Sequence, residues 1–133
     1  MFELYITPPD GSTGNIKVSG SPMTGTGVSD FNWAPNSTWL AYIADQNTAD
    51  VFELFTSTPD GVVNDIVSGP LVAGGNVEED RWAPDSSGVG YIADQDTDNV
   101  FELFASQPDG NDNTQLSGDL VVGGDVFTFE WVP

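Results

Sequence analysis

No cysteine and no histidine occur in the 133 residues, and lysine and arginine together number 2. Each absence closes off chemistry. Without cysteine there is no disulfide and no thiolate metal site, and the redox compartment is left open. Without histidine there is no imidazole general base, no Ser-His-Asp or Cys-His arrangement, and none of the usual zinc or copper ligation. The two cations face 21 Asp and Glu, a formal charge of −19. That balance argues against nucleic acid or an anionic membrane surface as a partner, because phosphate contacts need cations. No apolar run reaches the length of a membrane span, so no membrane insertion is expected. Met1 leads straight into a repeat, with no basic segment followed by an apolar one, so no signal peptide is read here.

What is present suffices for a core: 38% of the residues are hydrophobic and 11% aromatic. The acidity fits a protein that resists non-specific association, gathers cations or lives in salt. A solvated acidic surface explains it equally.

The chain is organised around one motif that occurs three times. Phe-Glu-Leu-Tyr or Phe-Glu-Leu-Phe stands at residues 2–5, 52–55 and 101–104. Each copy leads into Pro-Asp-Gly at 9–11, 59–61 and 108–110, then Ser-Gly at 19–20, 68–69 and 117–118. Trp-x-Pro closes each unit at 33–35, 82–84 and 131–133. This is a tandem repeat of about 49 residues, present about 2.7 times, and a fixed period marks a repeat architecture.

Short β-prone runs alternate with turn chemistry throughout, and no window has a 3.6-residue period. The pattern predicts strands at residues 2–7, 15–19, 28–33, 39–44, 51–57, 65–68, 77–82, 89–93, 100–106, 114–117 and 126–131. A Gly- and Pro-containing connection is expected at 21–27. Pro-Asp-Gly is a turn with a mechanism: proline presets φ, aspartate bonds its own backbone, and glycine accepts positive φ. The expected fold class is therefore all-β, with four-stranded antiparallel blades of a β-propeller. The expected organisation is a partial blade over 1–20, blades over 28–69 and 77–118, and the first strand of a further blade over 126–133. Strands 28–33, 77–82 and 126–131 carry polar residues at alternate positions, as a strand lining a water-filled channel would. Arg81, the one arginine, is expected to pair with Glu79 or with an acid of a neighbouring blade.

Trp82-Ala83-Pro84-Asp85-Ser86-Ser87, followed by Val89-Gly90-Tyr91, resembles the Trp-Ser-Pro-Asp-Gly…Ile-Ala-Tyr core of TolB-type, WD-like propeller repeats. The loop and strand from Asp94 to Phe104 resemble bacterial members of that group. Asn36-Ser37 and Asp85-Ser86 depart from the group's Asp-Gly and put the form of that turn in question. The resemblance implies a propeller used as a scaffold or protein-binding surface, generally outside the cytoplasm, hence an extracytoplasmic location.

Fewer than three blades cannot close a ring, since propellers run from about four to eight. Self-association is therefore expected. The lone first strand of one chain and the third and fourth strands at 2–7 and 15–19 of another would complete a blade. A head-to-tail contact of that kind gives a ring if the rotation closes and a filament if it does not. Such a composite blade would still lack its second strand.

One loop carries candidate metal chemistry. Asp94, Asp96 and Asp98, with Glu102 four residues on, space carboxylates as in short calcium loops. Ca²⁺ takes six to eight oxygens, and alternate residues of a tight loop can turn inward together. The competing reading is a polar loop in which Asp and Asn cap their own backbone. The earlier copy keeps Asp45, Asn47 and Glu53 but has Ala49 at the third position. No catalytic residue is identified. Carboxylate pairs alone perform glycoside hydrolysis, but no pair stands out and the units share the same acids. The expectation is a non-enzymatic scaffold that binds itself and other proteins. The alternative is a structural subunit whose role is polymerisation.

Overall fold

The computed structural model describes residues 1–12, 14–21 and 25–133. Within the expected connection at 21–27, residues 22–24 lie outside the described residues. The described residues hold ten strands and no helix: β1 (Tyr5–Ile6), β2 (Ile16–Lys17), β3 (Val28–Trp33), β4 (Leu40–Ala44), β5 (Glu53–Ser57), β6 (Asn64–Ile66), β7 (Val77–Trp82), β8 (Val89–Ala93), β9 (Glu102–Ser106) and β10 (Thr114–Gln115). Strands β1 and β2 form a hairpin, and two four-stranded antiparallel sheets follow in the orders β3-β4-β5-β6 and β7-β8-β9-β10. The sheets stack as blades do but do not close on one another.

The two sheets are built to the same register. Tyr42 faces Phe55 across β4–β5, and Tyr91 faces Phe104 across β8–β9, each pair stacked with ring centroids 5.4 and 5.5 Å apart. Each first strand carries one extra residue near its start: Val28 faces Ala44 but Asp30 faces Ile43, and Val77 faces Ala93 but Glu79 faces Ile92. The extra residue is a β-bulge, which resets the alternation of side chains. That is why Val77 and Trp82, five residues apart, lie in one core cluster.

The middle strands β4 and β8 are buried on both faces, the condition of a sheet packed between two neighbours. Leu40, Tyr42, Ala44 and Phe55 pack with Leu4 and Val18 of the hairpin. On the other face Ala41, Ile43 and Leu54 pack with Val77, Trp82, Val89 and Tyr91 of the second sheet. The apolar groups in these two layers leave water together, worth about 25 cal/mol per Å².

The recurring motifs explain themselves as joints. In each unit the leucine amide of the Phe-Glu-Leu motif donates to the serine hydroxyl of Ser-Gly: Leu4 to Ser19 at 3.0 Å, Leu54 to Ser68 at 3.1 Å, Leu103 to Ser117 at 3.1 Å. The Pro-Asp-Gly turns close with the aspartate accepting from the amide two residues on, at Ser12, Val62 and Asn111. Their glycines take φ of 67, 69 and 81°. After Trp-x-Pro the turn forms with a serine where a glycine would fit: Ser37 and Ser86 have φ of 61 and 64°.

Residues 126–131, expected as an eleventh strand, form no ladder. A strand needs a neighbour to exchange backbone hydrogen bonds, and none lies beside this segment. It nevertheless occupies the place of a first strand. The Val126 amide donates to Phe101 O at 2.8 Å, as Val77 does to Phe52 O at 2.8 Å and Val28 to Phe2 O at 2.9 Å.

Candidate functional site

Three features hold the polar chemistry of this chain: two buried loops, two buried hydrogen-bond knots, and two uncovered faces. The loops begin with Asp45 and Asp94, each buried at the end of a middle strand. Asp45 accepts from the amides of Gly27 at 2.6 Å, Thr26 at 2.9 Å and Asp50 at 3.2 Å. Burial opposes its ionisation, but the three amides together outweigh that and hold its carboxyl below the ordinary value. Asp94 repeats the arrangement, accepting from Asn76 N at 2.6 Å and Asn99 N at 2.9 Å.

The structure does not bring the four proposed calcium ligands together. Both Asp94 oxygens are taken by backbone amides, Asp96 and Asp98 are exposed, and Glu102 accepts from the Gln115 amide at 2.7 Å. Among the described residues no three acidic side chains gather closely enough to hold a metal ion. What the geometry uses Asp94 for is capping, since each buried amide needs an acceptor.

The hydrogen-bond knots were missed by sequence reasoning. Tyr42 donates to Gln46 Oε1 at 2.9 Å, Gln46 donates to Asn64 Oδ1 at 3.1 Å, and Asn64 donates to Val18 O at 2.8 Å. One unit on, Tyr91 donates to Gln95 at 2.6 Å, Gln95 to Asn113 at 3.2 Å, and Asn113 to Val67 O at 3.1 Å. Each knot reaches back to the preceding unit, where the amides of Gly20 and Gly69 donate to the glutamine at 3.0 and 2.9 Å. Those glycines are required: a Cβ there would sit 2.7 and 2.5 Å from the glutamine nitrogen. Burial pushes both tyrosine hydroxyls up, against the hydrogen bonds they accept. The available signal was Tyr-Ile-Ala-Asp-Gln, present at both 42–46 and 91–95.

The uncovered faces lie at the two ends of the stack. At one end the hairpin covers β4 and β5 but leaves part of β3 bare. Phe31 and Trp33 are exposed beside a cleft of about 280 Å³ that also touches Leu4, Tyr5, Ile6 and Leu40. At the other end, segment 126–131 lies over β7 and β8. Phe129 and Trp131 rest against Gly90, and Arg81 clasps the segment through Phe129 O at 2.7 Å and Glu130 at 2.5 Å while also pairing with Glu79. The expected ion pair of Arg81 is therefore present, with both candidate acids. A larger cleft, about 590 Å³, opens beside this segment between Ile92, Phe101 and Phe127 and the acids Glu78, Glu79 and Asp125. Neither cleft holds an arrangement of nucleophile, base and orienting group.

No protein-family model matches the chain, and no curated protein matches it. Among solved structures it is similar to a protein described as a TolB from Agrobacterium tumefaciens, at 14% identity and a TM-score of 0.61. The match covers 87% of this chain, which spans 41% of that protein's length. The likeness is one of fold: an all-β, propeller-like stacking of four-stranded antiparallel sheets. No helix among the described residues is long and apolar enough to cross a membrane.

Proposed function

We propose that the chain is a non-catalytic β-propeller repeat module, a protein-interaction scaffold acting outside the cytoplasm that associates with itself through its two end faces. One observation carries this reading: apolar side chains stand uncovered at both ends of the stack, among them Phe31 and Trp33 at one end and Phe127, 92% exposed, at the other. Uncovered apolar area of that kind marks an interaction surface. The fold likeness supports the scaffold role and the location. Because each chain carries a formal charge of −19, copies repel, and salt that screens the charge strengthens their contact. Light scattering after size exclusion, over a range of protein and salt concentrations, tests it. A mass above one chain that rises with salt is the expected result, and a single-chain mass throughout removes it.

A second reading is a structural subunit whose role is polymerisation. The two end faces differ from each other, so a contact between them is heterologous and builds a filament when it does not close. Electron microscopy of the associated material separates filaments from rings.

A further inference from the structure

The inner strands of successive units are tied by a rung that occurs twice. The Trp82 indole N–H donates to Asn32 O at 3.1 Å, and the Trp131 indole N–H donates to Arg81 O at 3.0 Å. Each rung spans the same sequence distance. Each is flanked by a side-chain contact one residue back: Asn32 donates to the Asp80 carboxylate at 3.3 Å, and the Arg81 guanidinium lies 5.5 Å over the Phe129 ring. Trp33 is the third tryptophan of this series. Its ring is 43% exposed, whereas Trp82 is 8% exposed, and its indole N–H has no partner among the described residues. The matching acceptor, one unit beyond Arg81, is Glu130 O, which accepts nothing among the described residues. Its carboxylate stays on Arg81 and is not needed for the rung.

We propose that the Trp33 face receives segment 126–131 of a second copy, with the Trp33 indole N–H donating to Glu130 O and the Glu130 side chain lying against Phe31. This rests on the self-association reading and names its contact. The occupant follows from the molecule itself: at both equivalent faces that the chain covers, the partner of the tryptophan is the inner segment of the adjoining unit. An exposed indole beside an apolar cleft, joined by one directional hydrogen bond, is also the composition of an interface anchor.

The chain has no cysteine, so introduced thiols report contacts between copies cleanly. Full-length Phe31→Cys and Glu130→Cys chains are mixed under mild oxidation, with an Asp10→Cys plus Glu130→Cys mixture as control. The mixed disulfide is expected at least about tenfold faster in the first mixture, because docking raises the local thiol concentration. Trp33→Phe, which keeps the ring and removes the donor, is expected to weaken association about fivefold, the size of one neutral hydrogen bond. Association at full strength with control-rate cross-linking and an unaffected Trp33→Phe chain overturns this contact and leaves self-association standing. A single-chain mass under all conditions overturns both.

Discussion

Strands β3 and β7 hold the same place in two sheets of the same register, yet they live in different surroundings. In β7 the sheet β3–β6 lies against one face, and Trp82 and Asp80 are buried; in β3 the corresponding Trp33 and Phe31 face solvent. The chemistry is even inverted, with a phenylalanine in water and a carboxylate in the interior. Burial at these positions is thus a property of the neighbouring unit more than of the residue. Asp80 records the cost. Burial raises its carboxyl to about 7, against the Asn32 hydrogen bond that lowers it, while Asp30 and Glu79 add repulsion.

The sharpest test of this difference is truncation of the two tryptophans. Trp82→Ala removes a buried ring and a rung, and is expected to cost about 3–5 kcal/mol in urea unfolding. Trp33→Ala, measured where the chain is a monomer, is expected to cost about 1 kcal/mol or less. Equal costs would mean that Trp33 is covered in solution. The buried loops come next. Asp45→Ala leaves three amides without their acceptor and is expected to cost about 3 kcal/mol, with Asp94→Ala, which strands two, costing about 2. A calcium-dependent rise in the midpoint that Asp94→Ala abolishes would return that loop to the metal reading.

The pH dependence sets the same two regions against each other. Asp80 has a folded value above its unfolded one, so its contribution is fully present below the unfolded value and is lost as pH rises toward about 7. The slope is at most about 1.4 kcal/mol per pH unit. Asp45 has the opposite sign, stabilising above its unfolded value and losing that contribution as pH falls through its depressed folded value. Stability is therefore expected to peak in mildly acidic solution, and Asp80→Asn should flatten the alkaline limb in a pH series of unfolding midpoints. The smallest effect concerns the two turn serines. Ser37→Gly relieves a left-handed φ and should stabilise by up to about 1 kcal/mol. Ser86→Gly should gain less, because the Ser86 hydroxyl accepts from Asn36 N at 3.0 Å. An equal gain at both sites would show that this bond contributes nothing.

Much of the fold was legible because its signals are local. Proline, aspartate and glycine announce their turns, and the alternation of Leu40–Ala44 and Val89–Ala93 announces strands buried on both faces. The edge strands were read too long: residues 2–7 shrink to Tyr5–Ile6, since β propensity cannot supply a missing neighbour. The same limit made 126–131 look like a strand. The loop at Asp94 was ambiguous because calcium binding and amide capping both call for carboxylates, and only the position of the Asn76 amide, 18 residues back, separates them. The tyrosine knots were invisible for a related reason. Asn64 and Asn113 lie 22 residues from the hydroxyls they meet, and an isolated asparagine carries no sign of its partner. Ser-Gly could be recognised as a repeat, but its reason, a serine acceptor followed by a glycine under a glutamine amide, exists only once two units are stacked.

The extra residues in β3 and β7 have a consequence for how such chains tolerate change. Ser29 and Glu78 each occupy the unpaired position of a bulge. Removing either would leave a strand of ordinary length whose alternation no longer returns the tryptophan to the side it shares with the opening valine. A substitution at these sites alters one side chain; a deletion rotates everything after it, behaving in space as a lost nucleotide behaves in a reading frame. Length between valine and tryptophan, more than the identity of the residues between them, should then be what drifting copies of this unit cannot give up.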